Sequence, residues 1–245
     1  MESGLTARKL LDIWELGLLD HPFNRALRLL AVAHPEWSPE QWQEMPIGQR
    51  DGCLLNLREV LFGPNLNCVT ICPNCSERLE IGLNTVQIRG VQSESPNSGP
   101  HSVAVEEFEL QFRLPNTSDL LSITNVSDAT PARRMLFERC ILQAKRNGGP
   151  VQVADLPDQV VDATANRMSE IDPLADVQIA LTCPACSHPW SATFDIASYL
   201  WVEVNSWASR ILDEVHQLAS AYGWSEADIL ALSPMRRQLY LGMIG

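Results

Sequence analysis

The sequence predicts an α+β protein that is mostly helical. Apolar residues recur at the helical period over roughly the first 62 residues and again from Ile196 to Tyr222. Two short segments, Leu79 to Leu83 and Phe108 to Leu114, instead alternate apolar with polar residues, which is typical of half-buried strands. The third observation is a pair of Cys-Pro-x-Cys motifs that lie far apart in the chain.

Local signals place the ends of several helices in the first quarter of the chain. His21-Pro22 separates two helices, because the residue before a proline avoids the helical region. Ser38 is suited to cap a further helix, with Pro39 in its first position and Gln41 completing a capping box. Gly63-Pro64 ends the helix that precedes the first cysteine motif.

Further elements follow in order after the first motif. The Ser, Pro and Gly content of Val91 to Ser102 predicts a flexible loop. Helices are expected from Thr130-Pro131 to Asn147-Gly148-Gly149, over Asp158 to Ile171 and over Ile196 to Tyr222. Short strands are expected at Val177 to Leu181 and Trp190 to Phe194. A last short helix is expected after Ser225, which can cap it, and Pro234 begins the closing segment.

Composition restricts the class of function. The net charge of −12 and the pI of about 4.8 argue against a general nucleic-acid binder, because phosphate contacts need Lys and Arg. No apolar run approaches the length of a membrane span, and the N-terminus lacks the pattern of a signal peptide. We therefore expect a cytoplasmic protein, where seven cysteines are more consistent with metal binding or burial than with disulfides.

The first motif contains Cys72 and Cys75, and the second contains Cys183 and Cys186. A Cys-x-x-Cys turn presents two thiolates from one tight backbone turn, and two such turns complete the tetrahedral site that Zn²⁺ favours. A β-type segment follows each motif, as in a zinc ribbon. The sequence therefore predicts a structural Zn²⁺ in a split four-cysteine ribbon, with the long intervening chain looped out as an insertion.

The alternative interpretation is that the two pairs are buried or redox-active thiols. A redox Cys-x-x-Cys motif normally opens a helix after a strand, and neither pair does so here. Cys68 and His188 lie close enough in sequence to replace a ligand, although two matched pairs do not need them. Cys53 and Cys140 occupy apolar helix faces and are expected in the core.

The predicted organisation has four parts. They are an N-terminal helical region (1–66), the split zinc ribbon (67–90 with 177–195), an inserted small α/β segment (91–176) and a C-terminal region with one long and several short helices (196–245).

Two sets of residues are candidates for binding a partner. Arg133 and Arg134 belong to a basic cluster, predicted to lie on one helix, for which a solvated face is the simpler interpretation. Arg236, Arg237 and Tyr240 lie in an apolar chain end that must be buried in the fold or in a partner. No sequence motif of a nucleotide-binding or hydrolytic site occurs, so no enzymatic activity is predicted.

Five segments together resemble a known group of proteins. They are LDIWELGLLDHPFNRALRLLA, IGQRDGCLLNLREVLFG ahead of CPNC, LQFRLPNTSDLL, IDPLADVQIALTCPACSHPW and GWSEADILALSPMRRQLYLGMI. The chain resembles zinc-ribbon proteins encoded with phage-tail-like contractile injection systems. Its closing segment is similar to baseplate hub and hub-assembly proteins of contractile-tailed phages. The matching residues are Arg25, Arg50, Arg58, Cys72, Cys75, Arg113, Pro115, Asp119, Asp172, Pro173, Cys183, Cys186, Trp224, Arg236, Arg237 and Tyr240.

The resemblance implies a structural or assembly role at a baseplate, with other tail proteins as partners and no catalytic residues. It places the protein in the cytoplasm or in an assembled injection particle. Two other hypotheses remain. A zinc-ribbon regulator that binds nucleic acid is disfavoured by the acidic charge, and a metal-dependent enzyme is disfavoured by four thiolates that leave no open ligand position.

Overall fold

A computed structural model describes residues 5–90 and 99–244. Helices dominate them, and the strands form small separate sheets, so the predicted α+β class is confirmed. The α-helices are α1 (Ala7–Gly17), α2 (Pro22–Ala33), α3 (Pro39–Glu44), α4 (Ile47–Phe62), α5 (Thr85–Arg89), α6 (Thr117–Ser122), α7 (Ala129–Cys140), α8 (Asp158–Ile171), α9 (Ile196–Tyr222), α10 (Glu226–Ala231) and α11 (Pro234–Leu241).

The strands are β1 (Asn65–Ile71), β2 (Arg78–Asn84), β3 (His101–Val105), β4 (Phe108–Phe112), β5 (Ile141–Arg146), β6 (Gly149–Pro150), β7 (Val177–Thr182) and β8 (Pro189–Phe194). They form an antiparallel β1–β2 hairpin, a sheet in the order β3-β4-β5-β6, and an antiparallel β7–β8 hairpin. Within the described residues, no helix combines the length and apolarity that a bilayer span requires.

The chain divides into two compact units. One comprises Met1–Trp37 with Ala197–Gly245, and the other comprises Ser38–Ile196. The four-part organisation expected from the sequence stays a prediction.

The first unit is helical. Its core includes Leu11, Ala208 and Ile211, with the half-buried Trp14 and Trp207 against them. These residues recur at helical spacing on α1 and α9, so each helix contributes one apolar stripe to the core.

The second unit contains the four-stranded sheet. Phe108, Leu110 and Ala144 on the sheet pack with Phe137 of α7 and Val160 of α8. Alternate residues of β4 are exposed, so one face of this strand is buried and the other is open, as its alternating sequence predicts.

The sequence-based helix over residues 130–146 is wrong beyond Cys140. The chain there forms β5, so Lys145 and Arg146 lie on a strand and not on the helix of Arg133 and Arg134. Asn147 and Gly148 both have positive φ, +50° and +81°, as a tight hairpin turn with two such residues requires. The Asn-Gly pair, interpreted as a helix end, is instead the hairpin that joins β5 to β6.

Besides β5 and β6, strands β1 and β3 were not predicted from the sequence. Residues 65–71 form β1, directly before the first cysteine motif, and His101 and Ser102 belong to β3, where a loop was expected. Residues 91–98 of that expected loop lie outside the described residues.

Helix α4 links the approaches to both two-stranded hairpins. Near its N-terminus, Gly48 N–H donates to the buried Asp172 carboxylate at 2.9 Å, just before the chain enters β7. At its other end, Gly63 and Pro64 lead directly into β1. The 16-residue helix thereby contacts the segment before one hairpin and is covalently joined to the other.

Candidate metal centre

The first cysteine motif forms the tight turn of the β1–β2 hairpin. Ile71 pairs with Arg78 in the last rung of the ladder, and beyond it Cys72 N–H donates to the Glu77 carbonyl at 2.9 Å. Ser76 N–H donates back to the Cys72 carbonyl at 3.0 Å. Pro73 lacks an N–H and suits the start of such a turn, so the motif sequence and the turn agree.

The second motif repeats this geometry at the β7–β8 turn. Cys183 N–H donates to the His188 carbonyl at 3.0 Å, and Ser187 N–H donates to the Cys183 carbonyl at 2.9 Å. Ser76 and Ser187, each directly after a motif, have φ of +61° and +58°. Non-glycine residues seldom adopt this left-handed conformation. Because both serines adopt it, the two turns have the same backbone conformation at this position.

The two turns bring their four sulfurs together. The Cys72 and Cys186 Sγ atoms are 3.7 Å apart, and those of Cys75 and Cys183 are 3.6 Å apart. All four sulfurs lie within 4.8 Å of one another. A tetrahedron with metal–sulfur bonds of about 2.3 Å has sulfur–sulfur edges of about 3.8 Å. The four cysteines are therefore close enough to bind one metal ion, and the distances of 3.7 and 3.6 Å match such a site.

Disulfides do not account for this cluster. A disulfide bond is about 2.05 Å long, and all seven cysteines are free. The cluster is also asymmetric in its burial, because Cys72 and Cys183 are each 1% exposed while Cys75 is exposed and Cys186 is half-buried. The first cysteine of each motif thus faces inward and the second lies toward solvent.

Hydrogen-bond donors surround the two outer sulfurs. The Asn74 side-chain amide donates to Cys186 Sγ at 3.5 Å, and the His188 backbone N–H also bonds this sulfur; together they lower the pKa of Cys186 to about 6. For Cys75, the Glu77 N–H has the largest single effect and lowers the pKa, but the neighbouring thiols together raise it to about 12.

The two shifts differ in cause, because hydrogen bonds from Asn74 and His188 lower the pKa of Cys186 while the neighbouring thiols raise the pKa of Cys75. Thiolates within hydrogen-bonding distance repel one another, so the four sulfurs do not readily ionise together. A bound cation removes that restraint, because metal binding releases the thiol protons. Four coordinating thiolates close a tetrahedral site and leave no position for a substrate.

The other cysteines and His188 lie outside the cluster. Cys140 is fully buried, and burial raises the pKa of its thiol to about 12. Burial also raises the pKa of the half-buried Cys53. Cys68 lies within β1 opposite Ile81. The His188 backbone shapes the second turn, while its ring stacks at 6.4 Å on Trp190.

Sequence reasoning missed the supporting roles of three residues at this centre. Asn74 supplies a side-chain donor, and Ser76 and Ser187 supply the left-handed backbone that closes each turn. The available signals were the polar residue inside the first motif and the serine that follows both motifs.

The arginines Arg133 and Arg134 proposed to bind a partner lie on α7. Arg133 pairs with Asp162 at 2.5 Å, both largely exposed. Arg134 pairs with Glu138 at 3.2 Å and also donates to the carbonyls of residues 153 and 154. Both guanidinium groups are thus engaged within the chain, and a role in partner binding stays a prediction.

The remaining predicted partner residues lie on α11. Arg236 is exposed, whereas Arg237 is 3% exposed and pairs with Glu214 at 2.8 Å. The Tyr240 ring packs edge-on against Trp224 at 4.9 Å. These three residues therefore differ in accessibility, and their part in binding also stays a prediction.

Comparison with protein families gave a match. The family model for the T4 bacteriophage base plate protein matches residues 36–201, more than half of the 245-residue chain. This range includes both cysteine motifs and all of the second unit. Comparisons with curated proteins and with solved structures gave no match. The match over residues 36–201 shows that the chain belongs to the T4 bacteriophage base plate protein family.

Proposed function

We propose that this protein is a non-enzymatic structural or assembly component of the baseplate of a phage-tail-like contractile injection system, and that a structural Zn²⁺ stabilises its fold. Membership of the base plate family carries the first part of the proposal and makes other tail and baseplate proteins the expected partners. The closing segment's resemblance to hub and hub-assembly proteins favours a position at the baseplate hub.

The choice of Zn²⁺ follows from the chemistry of the donors. Four thiolates in a tetrahedron are characteristic of zinc or of iron–sulfur chemistry. Zinc is the usual occupant when two Cys-x-x-Cys turns at the ends of short hairpins form a closed site. The four sulfurs within 4.8 Å support a single ion.

A structural role for the ion follows from the chain connectivity. Residues 76–182, which number 107, separate the two motifs. Fixing the ends of a loop this long removes conformational entropy from the unfolded chain, worth about 4–5 kcal/mol when a disulfide closes a loop of about 100 residues. We propose that the ion joins 67–90 to 177–195 as one split ribbon and holds the intervening segment in place.

Affinity purification from cells that produce particles tests the functional part. The tagged protein should recover other baseplate or tail proteins, identified by mass spectrometry. The Cys72→Ser/Cys183→Ser variant should recover them poorly, because the ribbon loses its metal, whereas Cys53→Ser, outside the cluster, should behave as the wild type.

Two results would overturn this proposal. Recovery of no tail or baseplate protein would contradict the baseplate assignment. Tight binding of DNA or RNA in a gel shift, with the steep salt dependence of phosphate contacts, would instead favour a nucleic-acid-binding regulator.

A further inference from the structure

The start of α4 belongs to a buried cluster of three charged residues, Arg50, Asp51 and Asp172. Their exposed fractions are 3%, 8% and 2%. Arg50 and Asp51 lie in the first two turns of α4, while Asp172 lies shortly before β7. The cluster therefore combines two buried carboxylates with one guanidinium. Because burial disfavours a charge that no partner balances, the surplus negative charge is unfavourable.

The Arg50 side chain contacts only one of these two carboxylates directly. Its Nε and Nη2 atoms each lie 2.7 Å from the same oxygen of Asp51, Oδ1. Its Nη1 donates to Thr117 Oγ1 at 3.1 Å. The Asp172 carboxylate instead accepts from the Gly48 N–H at 2.9 Å, and Arg50 acts on it through its charge.

The other charged groups around the cluster do not balance the surplus. Asp195, which follows β8, adds a further negative charge. Cys53 on α4 stays a neutral thiol near pH 7, because burial raises its pKa. The charged residue of α6, Asp119, is held by two other arginines. On α5, Arg89 pairs with Glu59, two turns further along α4.

These surroundings make Asp51 a proton acceptor. Burial raises the pKa of the Asp51 carboxyl to about 6, although the charge and the bonds of Arg50 lower it. The negative charges of Asp195 and Asp172 add to the increase. Both Arg50 bonds reach Oδ1 of Asp51, so a proton on Oδ2 displaces neither of them.

We propose that this cluster is a pH-sensitive contact, at which Asp51 binds a proton in mildly acidic solution and the second unit becomes more stable. One proton removes the surplus charge, and the charge of Arg50 then balances Asp172. The start of α4 contacts residues 115–117 and 172–175, so the proton strengthens contacts between distant parts of the chain. This proposal goes beyond the proposed function and depends on neither the metal nor the baseplate assignment.

The direction of the pH effect follows from the difference between the folded and unfolded states. An aspartate in the unfolded chain has a pKa of about 3.9, so the folded protein binds this proton more readily. The resulting stability is fully present below about pH 4 and is lost as the pH rises through about 6. As the pH falls from 7 to 5, this single group should lower the equilibrium constant for unfolding about tenfold.

Carbon-13 NMR of the aspartate carboxyl groups tests proton binding directly. A carboxyl resonance should shift with a midpoint near pH 6, and Asp51→Asn should remove it. Aspartates with ordinary pKa values are ionised above about pH 5 and do not interfere. Asp172→Asn keeps an acceptor for the Gly48 N–H but removes one negative charge. It should therefore lower the Asp51 midpoint by at least about 0.5 pH units.

Urea unfolding compares Asp51→Asn with wild type at pH 7 and pH 5. The asparagine keeps the oxygen that Arg50 contacts and carries no charge, so it resembles the protonated carboxyl. At pH 7 the variant should be at least as stable as wild type. Lowering the pH to 5 should reduce the unfolding constant of wild type about tenfold more than that of the variant. Both proteins contain the same cysteines, so the pH dependence of metal binding cancels in this comparison.

The matched control is Asp162→Asn, which removes a largely exposed carboxylate from an arginine pair. Its unfolding should show the same pH dependence as wild type.

Three results would overturn the proposal. An Asp51 resonance that does not shift between about pH 5 and pH 7.5 would exclude proton binding there. An unfolding constant for Asp51→Asn about tenfold or more above wild type at pH 7 would show an ordinary stabilising ion pair with Arg50. An equal pH dependence in variant and wild type would also contradict it. Failure of Asp51→Asn to fold counts as the second result, and Asp51→Glu then identifies the resonance.

Discussion

Replacing Asp119 with asparagine removes the charge from a buried carboxylate of the second unit that accepts four hydrogen bonds. The Asp119 side chain is fully buried, and Arg113 donates to its two oxygens at 2.5 and 2.8 Å. Arg139 Nε donates at 2.9 Å and Asn116 N–H at 3.0 Å. The carboxylate therefore connects three segments of the chain. These are the residue before α6 (Asn116), the residue after β4 (Arg113) and the end of α7 (Arg139).

The expected loss follows from these four bonds. Hydrogen bonds to charged groups contribute about 1.5–3 kcal/mol each, and removing one partner of a buried ion pair costs about 3–5 kcal/mol. The asparagine oxygen keeps one acceptor position, and the side chains of Arg113 and Arg139, 30% and 44% exposed, regain some water. We therefore expect Asp119→Asn to lower the free energy of unfolding by about 3 kcal/mol.

The pH dependence has a defined sign. Burial alone would raise the pKa of the Asp119 carboxyl, but hydrogen bonds from Arg113, Asn116 and Arg139 outweigh burial and hold that pKa below its usual value. The stabilisation is therefore fully present above the unfolded-state pKa of about 3.9 and is lost as pH falls through the lower folded-state value. Asp119→Asn should cost less stability at about pH 3 than at about pH 7.

Urea unfolding followed by circular dichroism measures both effects. The matched control is Asp162→Asn, which removes an arginine–aspartate pair in which the side chains are 59% and 56% exposed. That control should cost less than about 1 kcal/mol. Equal losses for the two variants, or a loss for Asp119→Asn that does not shrink at low pH, would refute the reasoning.

Two backbone predictions follow from local geometry. Gly48→Ala should cost about 2 kcal/mol or more, because its Cβ would lie 2.0 Å from Asp172 Oδ1, whereas Gly82→Ala, with no atom within 4 Å, should cost little. Thermal unfolding compares them, and similar melting temperatures would contradict the close packing. Ser76→Gly should stabilise the metal-free protein by about 0.5 kcal/mol by relieving its positive φ, while Ser191→Gly, within a strand, should destabilise it. Urea unfolding in the presence of a metal chelator compares the Ser76→Gly and Ser191→Gly variants. A loss of stability for Ser76→Gly would contradict the expected relief of the positive φ.

Elements whose signals are local could be predicted from the sequence. The expected bounds of the helices Asp158–Ile171 and Ile196–Tyr222 are confirmed. The capping box of Ser38 and Gln41 is present as expected. In each case the apolar period and the terminal residues lie within the element, so no distant contact is needed to specify it.

Elements that depend on distant partners could not be predicted. Residues 141–146 extend the helical apolar spacing of α7, yet they pair with β4, some 30 residues earlier. In β1, Asn65 and Asn67 have low strand propensity, and pairing with β2 determines the conformation. In both segments, pairing with a distant strand overrides the conformation that the local sequence prefers.

The sequence predicts which four cysteines form the candidate centre, but it does not predict the contacts between the two turns. Motif spacing identifies which cysteines form pairs, because each pair belongs to one turn. Spacing does not reveal that Cys72 approaches Cys186, or that Asn74 donates across to the other turn. These contacts depend on how two hairpins separated by residues 85–176 meet, which no local pattern encodes.

Elemental analysis of the purified protein tests the central claim most directly. Wild type, purified without added metal, should contain about one zinc ion per chain. Cys72→Ser/Cys183→Ser should contain almost none, and Cys53→Ser should retain the full amount. A wild-type protein without zinc, or a double variant that keeps one zinc ion per chain, would contradict the four-cysteine site.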